Sequence, residues 1–211
     1  RLTQENYRSI LDPLLKRGDF LVNLSVFVSS LALIGLCREK EALYIDTSIE
    51  PWEGGYTDTG SSASERSNYA LRKEALALGR SIKGGPTAIV CQGANPGLVS
   101  GFLKQALLDV ARDNGITDRP TTKEEWANLA RQLGIKTIHV AERDTQNTSV
   151  RKKRNEFVNT WSIDGFIGEG LQPAELGWGT HEKHWPSDAG EHESGCKAAI
   201  YLNTPGAGVK V

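Results

Sequence analysis

The chain has 211 residues, 38% of them hydrophobic, with 25 Lys and Arg against 26 Asp and Glu. So even a charge balance argues against nucleic acid as the main partner, because neutralising phosphates needs a basic surface. The longest apolar run, Leu31 to Cys37, falls well short of the roughly 18 residues that begin to suggest a membrane span.

In chain order, Thr3 to Lys16 places Tyr7, Ile10, Leu11, Leu14 and Leu15 at helical spacing, with Thr3 as its N-cap. Phe20 to Leu24 is a short apolar run and predicts a buried strand; Ser29 to Glu39 predicts a helix and Ala42 to Thr47 a second strand. Glu53 to Ser62, rich in Gly, Thr and Ser, reads as a surface loop. Ser64 to Arg80 reads as an amphipathic helix and Thr87 to Cys91 as a third strand. Strands alternating with helices imply parallel βαβ units.

Beyond the Asn95-Pro96-Gly97 turn the spacing of elements changes, which places a domain boundary there. Gly97 to Asn114 predicts a helix with Leu98, Phe102, Ala106 and Val110 on one face. Thr122 to Leu133 predicts another, capped by Thr121 or Thr122 and carrying Glu124 and Glu125 in its first turn. Lys136 to Val140, Glu156 to Trp161 and Ala198 to Leu202 read as strands. The expected architecture is α/β: a partial Rossmann-like parallel sheet over residues 1–96, followed over 97–211 by part of an α+β substrate and dimerisation domain. The chain has no Met and stops abruptly at Lys210-Val211, as an internal piece of a longer polypeptide would. Its N-terminus has no signal-peptide hydrophobic region, and Cys37, Cys91 and Cys196 are scattered and odd in number, so a cytoplasmic location is expected.

Ligands of an open parallel sheet bind beyond the carboxyl ends of its strands. Three segments occupy such ends: Asn23-Leu24-Ser25, Asp46 to Trp52, and Gly93 to Gly97. Ser25, Thr47, Asn95 and Pro96 are expected on the cofactor side of that edge, although such residues also serve as plain turn formers. Glu50, between Ile49 and Pro51-Trp52, is a carboxylate in an apolar context and calls for a cationic partner. Glu142, Trp161 and Glu169 are weaker on spacing alone; a lone Trp is more often core than ligand contact. His181-Glu182-Lys183-His184, with His192 and Cys196 nearby, lacks the spacing of two His on one helical face, and no metal site is expected. No GxGxxG turn opens a helix, so the pyrophosphate cradle of a dinucleotide fold is not in this chain. The isolated chain is therefore expected to bind a dinucleotide poorly.

The strings VNLS (Val22 to Ser25), ALYIDT (Ala42 to Thr47), EPW (Glu50 to Trp52), RSNYALR (Arg66 to Arg72) and GANPG (Gly93 to Gly97) resemble the bacterial homospermidine synthases. So do HVAERDTQ (His139 to Gln146), FVNTWS (Phe157 to Ser162) and EGLQPAELGWGT (Glu169 to Thr180). This family lies within the saccharopine-dehydrogenase-like oxidoreductases. The resemblance implies a Rossmann NAD domain, a substrate domain that also builds a homodimer, and a small diamine as substrate. It implies a redox-borrowing condensation of two putrescines, or of putrescine with spermidine: oxidation to an imine, loss of ammonia, addition of a second amine, and re-reduction. The matching positions give Glu50, Asn95, Glu142, Trp161 and Glu169 as catalytic residues, and Asn23, Ser25, Thr47, Asn95 and Pro96 as NAD contacts. Val26-Phe27-Val28 departs from relatives with a polar residue there, and Val150 to Asn155 is unusually basic. The alternatives are an oxidoreductase acting on saccharopine or a carboxylated polyamine, or a catalytically inactive piece. A carboxylate substrate would call for Arg or Lys in these segments, which offer Glu and Trp instead.

Overall fold

The computed structural model of the chain describes residues 1–62, 65–81, 84–163, 166–167, 176–177, 183–191 and 199–202. Its first half is a three-stranded parallel sheet. Strand β1 (Phe20–Asn23) leads through helix α2 (Ser30–Glu39) to β2 (Leu43–Asp46) and through α3 (Asn68–Arg80) to β3 (Ala88–Ile89), in the order β1-β2-β3. Phe20 pairs with Leu43 and Asn23 with Asp46, while Ile45 pairs with Ile89. The three expected strands are thus parallel neighbours whose carboxyl ends share one edge.

Local chemistry sets the helix limits. Ser29 caps α2 by accepting from the Ala32 amide, and Ser67 caps α3 by accepting from Ala70. At the other end of α2, Ala42 N donates to the Cys37 carbonyl at 2.7 Å and Glu41 N to Arg38 at 3.1 Å, with Glu41 at φ 54°. This is a Schellman closure, and it turns the chain straight into β2. The N-terminal helix is much shorter than its periodicity suggests: α1 spans only Tyr7–Leu11. Asp12 keeps helical angles, but Pro13 brings no amide to continue the ladder, so the helix stops. Nor is Thr3 the cap: Asn6 holds that position, and its side chain accepts from the Thr3 amide.

The core of this half is Val28, Leu33, Cys37, Ala42 and Tyr44, with Leu2, Tyr7, Leu11 and Trp52 packed on it. It lies on one face of the sheet. On the other face Phe20, Val22, Leu43 and Ile89 are exposed, so the sheet is covered on one side.

In the second half α4 (Leu98–Asp113) packs against α5 (Lys123–Gln132) through Leu107, Ala111 and Leu129. The face expected to pack, Leu98, Phe102, Ala106 and Val110, is exposed, because α5 docks on the neighbouring stripe instead. Both helices end in Schellman closures with glycine in the left-handed position: Ile116 N reaches the Ala111 carbonyl around Gly115, and Ile135 N reaches Ala130 around Gly134. Thr122 and Glu125 form a complete capping box. A small antiparallel sheet of β4 (Leu176–Gly177), β5 (Ala189–Glu191) and β6 (Ala199–Leu202) follows, in the order β4-β6-β5.

Two expected strands do not form: 136–140 and 156–161 have no helix or strand and are mostly exposed. Their alternating apolar residues suit a pleated surface, but a strand exists only where a neighbour supplies ladder hydrogen bonds, and no described strand pairs with either segment. The chain is α/β, a parallel sheet with its helices followed by a region of helices and short antiparallel strands.

Candidate functional site at the carboxyl edge of the parallel sheet

The strand ends are joined by buried polar groups. Asn23, Tyr44 and Asp46 share the helix-covered face and are at most 5% exposed. Asn23 Nδ2 donates to Tyr44 Oη at 3.1 Å, and Tyr44 Oη donates to Asp46 Oδ2 at 2.9 Å. Cys91 N donates to Asp46 Oδ1 at 2.7 Å, and Ser25 N donates to Asn23 Oδ1 at 3.1 Å. The Asp46 carbonyl also accepts from Gln92 N at 2.9 Å. One line of hydrogen bonds thus runs from the loop after β1, across the end of β2, to the loop after β3. Burial pushes the Tyr44 phenol up, far above its ordinary range.

Glu50 is fixed from two sides. Its amide donates to Ser30 Oγ at 3.0 Å and its carbonyl accepts from Ser30 N at 2.9 Å, which ties it to the first turn of α2. Its Oε2 accepts from Phe27 N at 3.3 Å. The following segment is held by the Trp52 ring, 5.3 Å from that of Tyr7, and by Tyr56 Oη, which donates to the Ile49 carbonyl. The half-buried carboxylate is therefore presented beside the α2 N-terminus on a braced segment.

The third exit is a closed turn. Gly93 N donates to the Pro96 carbonyl, Leu98 N donates to the Gly93 carbonyl, and Asn95-Pro96 is cis. A Cβ on Gly93 would lie 2.7 Å from the Thr47 carbonyl. The turn thus lies directly against the exit of β2, an approach that only glycine allows.

Of the residues expected at this edge, Ser25, Thr47, Asn95 and Pro96 are exposed there, with small or polar side chains facing outward from neighbouring strand ends. Asn23 is buried, and both ends of its amide are engaged internally. Exposed polar groups over a glycine-lined turn are compatible with a dinucleotide lying across this edge. Glu142 and Trp161 are exposed on the irregular stretch of the second half, and Glu169 lies outside the described residues, as do His181, His192 and Cys196.

A cavity of about 220 Å³ is lined by Phe27, Glu53, Gly54, Tyr56, Thr57 and Ile167. Phe27, whose amide donates to Glu50, and Ile167 thus line one cavity. The rings of Phe157 and Phe166 stand 5.1 Å apart. A larger cavity, about 360 Å³, lies at the opposite end of the sheet between α2, α3 and the strand starts Ala42 and Ala88.

Sequence reasoning missed Tyr44 and Asp46. An alternating Tyr-x-Asp at a strand end was a usable signal, since it places two polar side chains on one buried face.

Two family models match in succession: the saccharopine dehydrogenase NADP binding domain over residues 1–89 and the saccharopine dehydrogenase C-terminal domain over residues 93–210. The chain is 56% identical over its whole length to the homospermidine synthase of Blastochloris viridis, and 49% identical to that of Mesorhizobium japonicum. It spans 45% and 44% of those two proteins. A crystal structure of the homospermidine synthase from Legionella pneumophila in complex with NAD superposes with a TM-score of 0.76 at 52% identity, covering 99% of this chain and 43% of that one. With these matches running in order along a parallel sheet of the expected topology, the chain belongs to the saccharopine dehydrogenase family.

Proposed function

We propose that this chain is part of a homospermidine synthase, which joins two molecules of putrescine, or putrescine and spermidine, with loss of ammonia. The observation that carries this reading is identity of about half or more, along the whole chain, to two proteins of that name. In this reading residues 1–96 belong to the cofactor domain and residues 97–211 to the substrate domain. The polypeptide works as a cytoplasmic homodimer without a nucleic-acid or membrane partner. No helix among the described residues is long and apolar enough to cross a membrane.

NAD, the group held by the relative of known structure, would supply a hydride acceptor at the start of the reaction and a hydride donor at its end. Ser25, Thr47, Asn95 and Pro96 would hold it along the strand ends, with Asn23 acting through the Ser25 amide. A diamine is cationic at both ends at neutral pH, and Glu50, Glu142 and Glu169 receive its ammonium groups. One amine must shed a proton before its carbon can be oxidised, and a carboxylate of this set accepts it. Asn95 orients the reacting amine next to the cofactor. Trp161 would offer its ring face to the iminium carbon formed on oxidation, to which the second amine adds before ammonia leaves. The overall balance is two putrescines in, one homospermidine and one ammonia out, with no net redox change.

The test is incubation of the complete polypeptide encoded by the gene with NAD and putrescine, with products followed by mass spectrometry. Homospermidine and ammonia formed one to one, with NAD regenerated, are expected. Net NADH accumulation with a carboxylated amine, and no homospermidine from putrescine, would overturn the reading.

A further inference from the structure

Tyr44 and Asp46 are buried at the candidate edge, and each side chain has two hydrogen-bond partners there. Both lie on β2, two residues apart on the covered face, and both are 1% exposed. We propose that they are positioning residues, a clamp that holds the loops after β1 and β3 in the register needed by the nicotinamide end of the cofactor. This rests on the functional reading above.

The clamp has a direction. The two Asp46 oxygens accept from different elements, Oδ1 from the Cys91 amide and Oδ2 from the Tyr44 hydroxyl. Since Tyr44 gives its only proton to Asp46, its oxygen is left to accept from Asn23 Nδ2, which frees the Asn23 carbonyl to hold the Ser25 amide. Each link fixes the orientation of the next. The backbone repeats the join, through Gln92 N to the Asp46 carbonyl. The strand ladder cannot do this job alone. β3 comprises only Ala88 and Ile89, and Cys91 leaves it at φ 61°. Past Ile89, the loop that carries Asn95 is aligned to β2 by Asp46. Ser25, two residues beyond the buried Asn23 that ends β1, is aligned the same way through Asn23.

Burial of a phenol, a carboxyl and an amide together is costly unless every group is paired. The buried strands of parallel sheets are ordinarily rich in Val, Ile and Leu. The polar set is accounted for by what it aligns, two exposed loops on either side of β2.

Tyr44→Phe keeps the ring and removes the hydroxyl; Asp46→Asn keeps the shape and reverses one donor. Three readouts are taken at a temperature where near-ultraviolet circular dichroism shows each variant folded. These are amide hydrogen exchange at Ser25, Cys91 and Gln92, and affinities of the complete polypeptide for NAD and for ADP-ribose. ADP-ribose lacks the nicotinamide. Expected for Tyr44→Phe is faster exchange at those three amides relative to α4 and α5. NAD affinity should fall about five- to tenfold, the scale of one lost hydrogen bond, with ADP-ribose affinity unchanged. A purely structural role would weaken both ligands alike or neither. If the wild type binds NAD and Tyr44→Phe binds it equally well, or if exchange is unaltered, the clamp is refuted. If the wild type binds no NAD, the functional reading falls and takes the clamp's role with it. Should Asp46→Asn fail to fold, the isosteric Tyr44→Phe still decides.

Discussion

Replacing Gly97 with alanine tests whether the Gly93–Gly97 turn is as tightly built as it looks. Gly97 sits at φ 132° and ψ −101°, a backbone region closed to residues with a Cβ. Holding alanine there costs roughly 1–3 kcal/mol by conformation alone. The new Cβ would also overlap the Gly93 carbonyl oxygen and stand 2.7 Å from Gly93 N, both rigid backbone atoms. The turn must open, breaking the bonds from Gly93 N to Pro96 and from Leu98 N to Gly93. A total loss of about 2–4 kcal/mol follows, within the range of severe single substitutions. The assay is equilibrium urea unfolding, followed by tryptophan fluorescence and circular dichroism. With a slope of about 1–3 kcal/mol per molar urea, the midpoint should drop by about 1 M or more. Gly101→Ala is the internal control: it lies inside α4 with open space around it. It should raise stability by about 0.5–1 kcal/mol through helix propensity alone. If Gly97→Ala unfolds at the wild-type midpoint while Gly101→Ala behaves as stated, the turn geometry is wrong.

Glu41 occupies the left-handed C′ position of α2 without being glycine. Glu41→Gly should therefore raise stability, by up to about 1 kcal/mol after glycine's entropy cost, and a lower urea midpoint would contradict the Schellman assignment. The Glu125 carboxyl is held below its usual range by the Thr121 and Thr122 amides. A depressed folded value means its stabilisation is present above the unfolded value of about 4.3 and is lost as pH falls through the folded one. Acid unfolding of Glu125→Gln should thus be flatter below about pH 4.3 than that of the wild type. Burial pushes the Cys37 thiol up to about 11 from 9.0. At a pH below both values this lowers its thiolate fraction about a hundredfold, so iodoacetamide should label Cys37 slowly in the native chain and rapidly in urea. Equal rates would place the thiol at the surface. Thr47→Val, exposed at the end of β2, should weaken NAD binding by the complete polypeptide; unchanged affinity in a calorimetric titration removes Thr47 from the cofactor edge.

What could be read from the sequence tracks the range of the forces involved. Phe20–Asn23 and Leu43–Asp46 were legible as strands because both are short apolar runs bounded by turns and followed by amphipathic helices. The cap at Thr122 was nearly as legible, since a cap is a contact between residues three apart, whereas Ser67 was not: the helix it caps was expected from Ser64. Pro13 was a local signal too, and it overrode a periodicity that ran on to Lys16. The failures lie where a partner distant in sequence decides the outcome. Residues 136–140 have strand-forming chemistry and no strand beside them, and the exposed stripe of α4 lost to its neighbour because α5 sits where its own Leu129 fits. No periodicity carries that information.

The candidate site divides along the same line. Ser25, Thr47 and Asn95 could be placed at one edge once three strands were read as parallel, because topology alone puts their ends together. The polar line beneath them could not be read as easily, since Asn23, Tyr44, Asp46 and Cys91 belong to three strands or their exits. Their meeting depends on register: Asn23 stands opposite Asp46, and a slip of one residue would turn either side chain to the other face. That dependence runs both ways. Burial of one face already penalises a one-residue slip, and two carboxyl oxygens that each accept from a different element add a directional constraint to it. The edge residues are chemically ordinary, two hydroxyls and an amide. What sets them apart from turn formers is that the loops on both sides of β2 are referenced to the same buried carboxyl group, so the spacing of those loops is decided inside the fold before any ligand arrives.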